Sequence, residues 1–270
     1  MTLDFFKYVE VPPHPSLQDV VTHYRVTGAK RLTPFIFPDY SPIFQGLIFN
    51  LCPLDDIILQ KREQMSLKYK VYFVGQAISP SVLFSSSLHL DLIAVNFTPI
   101  GIFQLTGIDL DSFTDQIIDA EAVFGKDINE LYEKIMTLND KTQILGMIDE
   151  FLCMKARERK KHNRPCILTS LSLLNQHAGN ISVRMLQKAT NTNPRTLERS
   201  FRSEIGMSPK MYQRLLRFNQ AKQYIEENQY TAWWEVAVRF GFYDPSHFIS
   251  EFQTFAGQTP KEYINRLLLL

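Results

Sequence analysis

Twenty residues from Asn193 to Tyr212, NPRTLERSFRSEIGMSPKMY, are matched without a gap 51 residues later, from Asp244 to Tyr263, by DPSHFISEFQTFAGQTPKEY. The offset relates Pro194 to Pro245, Leu197 to Phe248, Phe201 to Phe252, Gly206 to Gly257, Pro209 to Pro260, Lys210 to Lys261 and Tyr212 to Tyr263. Asn193 and Asp244, and Ser208 and Thr259, are conservative pairs. An internal repeat of this kind marks one supersecondary unit used twice, which constrains the fold more than composition does.

Each copy carries its own start and stop signals. Asn193 and Asp244 are helix N-caps, because their side-chain oxygens can accept from the first free helix amides. The proline after each fits the first helical position, where its missing N–H leaves nothing unsatisfied. Leu197, Phe201 and Ile205 in the first copy, and Phe248, Phe252 and Phe255 in the second, form an apolar stripe that docks one face of each helix. Gly206 and Gly257 close the helices, and Ser208-Pro209 and Thr259-Pro260 open the next ones.

A short helical pattern precedes each copy. Val183, Leu186 and Ala189 space as i, i+3, i+6 ahead of Asn191, and Trp233, Val236, Ala237 and Phe240 as i, i+3, i+4, i+7 ahead of Gly241. Asn191 and Gly241 can adopt positive φ, so each unit reads as helix, turn, helix, over about 183–206 and 233–257. Between the units, 208–228 reads as one long helix with Tyr212, Leu215, Leu216, Phe218, Ala221, Tyr224 and Ile225 on its apolar side.

The pattern LERSF-x4-G-x-SP-x2-Y, then Ala221, then VA-x3-GF-x-DPSHF-x3-F-x4-G-x-TP-x2-Y, resembles the DNA-binding domain of the AraC/XylS family of transcription regulators, from about Ile167 to the end. The resemblance implies sequence-specific reading of two adjacent major-groove segments. It implies double-stranded DNA and RNA polymerase as partners. In the first copy the face opposite the apolar stripe holds Arg195, Thr196, Glu198, Arg199 and Arg202. The family's base-contacting positions fall on Arg195, Glu198 and Arg199, with Arg202 nearer phosphate. Arginine can bridge guanine O6 and N7, and glutamate can accept from cytosine N4. Such charges on a lone helix would read as a solvated face; the motif around them makes them candidate DNA contacts.

The second copy departs from the family. Its equivalent face has Ser246, His247, Ile249, Ser250 and Gln253, where the family usually has Arg at the position of Ser250 and Lys at that of Gln253. Glu251 adds an acid nearby. Ser246, His247 and Ser250 are its candidate DNA contacts, and His247 reads equally well as a structural histidine. A helix so poor in cations should hold phosphate weakly. That keeps a second function open: a degenerate AraC-like protein that binds DNA poorly and acts through protein contacts or a ligand of its N-terminal half. In Trp233-Trp234, one ring should fill the core and the other be exposed.

The near-neutral whole, +1, hides an asymmetry. From Lys160 onward there are 15 Lys and Arg against 8 Asp and Glu, a net of +7, and the residues before it carry −6. Only the C-terminal part is suited to a polyanion. The length fits two domains. The chain shows no 18-residue apolar run and no signal-peptide pattern at its start, and Cys52, Cys153 and Cys166 are odd in number and widely spaced. The expectation is a cytoplasmic protein with no membrane association.

The first half reads differently, and the whole is α+β. Phe35 to Phe37, Phe44 to Leu51, Ile57 to Leu59, Tyr69 to Val74, Ser81 to Phe84 and Leu92 to Phe97 are β-rich runs split by Pro, Asp, Ser and Gly, as in a mostly antiparallel sheet or half-barrel. Helices should follow near Pro99 to Leu105, at Ile128 to Met136 and at Lys141 to Met154, the last burying Ile144, Leu145, Ile148, Phe151 and Leu152. The expected division is a sensor or dimerisation domain at 1–158, a linker at 159–166 in the charged KARERKK tract and its Pro165, and the all-α domain at 167–270. This half resembles the sensor-type domains that precede AraC-like DNA-binding domains, in an uncharacterised subgroup marked by Pro38-Asp39, Val74-Gly75 and Phe97-x-Pro99. Ile100 stands where that subgroup has Gly. The resemblance implies a small-molecule effector or a homodimer, and names no cofactor.

Enzymatic chemistry finds no foothold. Gly-rich phosphate loops and Gly-x-Ser-x-Gly are absent, and Glu130 with Glu133, like Glu226-Glu227, read as solvated faces. His89 and Asp91 are too few for a metal centre. Cys153 sits on the apolar side of a helix as a small hydrophobe.

Overall fold

The computed structural model describes residues 8–30, 35–39, 45–51, 57–60, 64–67, 69–79, 81–85, 89–158, 165–228 and 232–268. Side chains are described for residues 8–28, 45–51, 69–79, 91–158, 165–228 and 232–268. Phe44, Cys52 and residues 159–164, most of the expected linker, lie outside these ranges. No helix among the described residues is long and apolar enough to cross a membrane.

Among the described residues, ten strands form two antiparallel sheets. In chain order they are β1 (Tyr8–Val11), β2 (Val21–Lys30), β3 (Phe35–Asp39), β4 (Gly46–Asn50), β5 (Ile57–Gln60), β6 (Gln64–Leu67), β7 (Val71–Val74), β8 (Ser81–Ser85), β9 (His89–Phe97) and β10 (Ile117–Asp119). The larger sheet runs β1-β2-β9-β4-β7-β10 and the smaller β3-β8-β5-β6. All six β-rich runs of the sequence are strands. Four strands went unread, including β2, a ten-residue strand that pairs with β9.

One face of the larger sheet is apolar and helix-covered. Tyr24, Leu47, Phe49, Val71, Phe73, Ile93 and Val95 alternate onto it and are buried. Helices α1 (Gly101–Thr106), α2 (Glu121–Phe124), α3 (Asp127–Ile135) and α4 (Lys141–Glu158) contribute to the same core. The five α4 residues expected on one face are all buried there. Tyr24 donates its hydroxyl to Asp149 of α4 at 2.5 Å, tying β2 to the helix.

Two N-terminal glycines have a packing reason. At Gly75, which follows β7, a Cβ would collide with the carbonyl oxygen of Phe113. The backbone of the 110–116 segment can therefore lie directly over the strand end, where the Gly75 N–H donates to Gln116 O at 3.0 Å. Gly101 plays the same part against Val20 O, so Ile100 before it needs no special backbone and takes φ −112°.

The C-terminal helices are α5 (Pro165–Gln176), α6 (Val183–Thr190), α7 (Pro194–Ile205), α8 (Pro209–Glu227), α9 (Trp233–Arg239), α10 (Pro245–Ala256) and α11 (Pro260–Leu268). One buried cluster joins them: Leu186, Leu197, Phe201 and Ile205 from the first unit, Leu215 and Phe218 from α8, and Val236, Phe248, Phe252 and Phe255 from the second. Phe218 of α8 meets Phe252 edge-on at 5.1 Å and Phe255 at 5.2 Å, which locks the second unit onto the long helix. Ala189 corrects the sequence reading: it is exposed, because six residues of helix turn it away from the stripe that i+3 and i+7 share.

Candidate nucleic-acid interface

The helix ends form as their sequence directs. Asn193 accepts from Thr196 N at 2.9 Å and Asp244 from His247 N at 2.7 Å. Ser208 caps α8 through Met211 N, and Thr259 exchanges bonds with Glu262 in a capping box ahead of α11. Gly206 and Gly257 take φ +89° and +70° as left-handed C-caps. The turns use Asn191 at φ +48° and Gly241 at φ +69°. In both units α7 and α10 hold the place of recognition helices, each locked on one side by its aromatic or aliphatic stripe.

On the free face of α7, Arg195 and Arg199 are exposed, and Thr196 and Glu198 are half-buried. These four occupy the first two turns, where a recognition helix reaches base edges. Arg202, one turn further, is held between two acids. Its Nε lies 3.1 Å from Glu198 and its Nη1 lies 3.2 Å from Asp111 of the N-terminal half. The hydrogen bond to Asp111 raises its pKa above the ordinary guanidinium value.

The α10 face carries less charge. Ser246, Ser250 and Gln253 are exposed and neutral. His247 is occupied structurally: its Nδ1 accepts from Tyr243 N at 3.1 Å and its ring meets Phe242 edge-on. Two sequence placements need correction. Ile249 packs against the core instead of facing outward. Glu251 is no surface acid; it is buried and takes a bidentate bond from Arg214 of α8, at 2.9 and 2.7 Å. Burial alone would raise the Glu251 pKa, but the Arg214 guanidinium outweighs it and holds the carboxyl below its ordinary value. Arg217, whose pKa burial lowers, donates to Gly241 O at 2.9 Å and so fixes the second turn.

Trp233 is half-buried with its ring 5.9 Å from Phe248, and Trp234 is 60% exposed, as the sequence suggested. Val238, one turn after Trp234 on α9, is exposed, and so is Tyr243 in the turn ahead of α10. Other chemistry-bearing residues are tied up elsewhere: Asp91 pairs with Lys141, Glu133 with Lys70, and Glu226 with Lys222. Cys153 is half-buried with Ser16 Oγ at 3.2 Å.

Sequence reasoning missed Asp111, Leu110 and Thr114, which touch α7 from the N-terminal half. They lie in a polar turn with no period to reveal it.

Two capped helix-turn-helix units on one core, with a rigid helix between them, are the architecture of a DNA-binding transcription regulator. Residues 186–266 match a family model described as a helix-turn-helix domain, and residues 9–119 match a domain of unknown function, DUF6597. Residues 186–266 are accordingly a helix-turn-helix domain of the AraC type, at the C-terminal end of a chain whose N-terminal half is a domain of unknown function. None of the curated proteins matches it. Among solved structures it is similar to ToxT from Vibrio cholerae O395, at 12% identity over 90% of this chain and 97% of that one, with a TM-score of 0.49. It is also similar to unsaturated fatty acid bound wild-type ToxT from Vibrio cholerae strain SCE256, at 13% identity over 89% and 94%, with a TM-score of 0.48.

Proposed function

We propose that the chain reads two adjacent major-groove segments of duplex DNA, with the first unit supplying most of the base discrimination. The observation that carries this is the exposed pair Arg195 and Arg199 on the first two turns of α7, a helix whose opposite face is locked into the core. Arg195, Glu198 and Arg199 contact base edges, Thr196 lies beside them, and Arg202 is directed to phosphate. Ser246, His247 and Ser250 of the second unit contribute weaker contacts, supported by the positive end of the α10 helix dipole. The proposal includes RNA polymerase as the downstream partner, a cytoplasmic location, and no catalysis by this chain. It assigns 1–158 to sensing a small-molecule effector or to homodimerisation, 159–166 to a linker and 167–270 to DNA binding. These assignments rest on the sequence resemblance and the opposed charges of the two halves.

A gel-shift with the DNA flanking its own gene, across a salt series, tests the reading. Site-selective binding that weakens with salt supports it. A folded protein with no binding at low salt would favour the second reading, action through protein contacts. The exposed Trp234 and Val238, one turn apart on α9, are the surface for that alternative.

A further inference from the structure

The first recognition helix is not free of the N-terminal half. The 3-10 turn Asp111–Phe113 and its neighbours meet the C-terminal end of α7 at three points. Leu110 N donates to Ser203 O at 2.9 Å. The Thr114 hydroxyl donates to Gly206 O. Asp111 Oδ1 lies 3.2 Å from Arg202 Nη1. The approach is close: at Gly206 a Cβ would lie 3.2 Å from both Leu110 O and Thr114 Oγ1. The turn is itself braced. Phe113 O sits over Gly75, and Asp115 accepts from Ile78 N at 2.8 Å and Ser79 N at 3.1 Å. Ile78 and Ile100 then pack into the C-terminal core.

A carboxylate and a phosphate present the same kind of charged oxygen to a guanidinium. We propose that the 110–114 turn is an intramolecular competitor for DNA, in which Asp111 occupies the Arg202 guanidinium that a backbone phosphate would otherwise take. The N-terminal half thereby sets the affinity of the first recognition helix directly. This rests on the DNA-binding reading above. Asp111 and Arg202 are both half-exposed, so the exchange is shallow and the turn tunes binding without abolishing it. The bonds from Leu110 N to Ser203 O and from the Thr114 hydroxyl to Gly206 O keep the carboxylate in place after Arg202 has let go.

The test uses the full chain and a mixed-sequence duplex of about three helical turns, since a phosphate contact is indifferent to sequence. Asp111→Asn keeps the side-chain shape and removes the charge. It should tighten binding about 3- to 10-fold at low salt and steepen the log–log salt slope by about one. In an Arg202→Ala background the same substitution should change nothing, whereas a general effect of one added positive charge would persist there. If the wild type binds and Asp111→Asn binds no better, or if its gain survives Arg202→Ala, the competition is refuted and the DNA-binding reading stands. If neither the wild type nor any variant binds, both proposals fall together.

Discussion

At the scale of single residues, the two units differ where their cores agree. Arg199→Ala should cost about 1–3 kcal/mol at the preferred site and relax selectivity at one or two base pairs, because a bidentate partner is removed. Ser250→Ala should cost less, and Ser250→Arg should tighten binding and steepen its salt dependence. Titrations of the three variants against one operator check this; equal losses for the two alanines would contradict a dominant first unit. Glu251 has a pH signature. Its carboxyl pKa is lowered in the folded chain, so the pair with Arg214 stabilises the domain fully above the ordinary value of 4.5 and loses that effect as pH falls through the folded value. Glu251→Gln should cost about 1–3 kcal/mol near neutrality, below the figure for a fully buried pair because Arg214 is partly solvated, and much less in acid. Thermal melts of both proteins across that range read the difference, and a penalty that does not shrink with acid would be wrong for this pair. Gly75→Ala should cost about 2 kcal/mol or more, since the Phe113 carbonyl must shift. The Val-Gly pair was visible in the sequence, but its reason lies 38 residues away in a carbonyl that no local pattern reveals.

At the scale of elements, α8 sets the geometry. Its 19 residues span about 29 Å at 1.5 Å per residue, close to the ~34 Å turn of B-DNA. The helices were legible because capping residue, N1 proline, stripe and closing glycine all occur within one element and repeat 51 residues on. Strand β2 was not. Its register shifts between Val21 and His23, which breaks the alternation there, and its polar residues Thr22, His23, Arg25 and Thr27 dilute the apolar signal from Tyr24 and Val26. Of the candidate interface, the exposed arginines followed from helix periodicity. The burial of Glu251 did not, because its partner Arg214 belongs to a different helix and the pairing appears only once α8 packs on α10.

At the scale of the whole molecule, the C-terminal domain is completed from outside itself. Ile100 is buried among the C-terminal helices, and Ile78 packs at their edge. A fragment from about Lys160 to Leu270 should fold and bind DNA, but should melt below the same domain in the full chain. Ile100→Ala should destabilise that domain in the full chain by about 2–4 kcal/mol. Equal melting temperatures for fragment and full chain would show that the contact adds nothing. The central claim, that one chain engages DNA through both units, is tested most directly by a hydroxyl-radical footprint of the full chain on its operator. The account predicts two protected patches per monomer on one face of the duplex, about 10 base pairs apart, the stronger under the first unit. A single patch, or two patches that persist after the second unit is deleted, would contradict it.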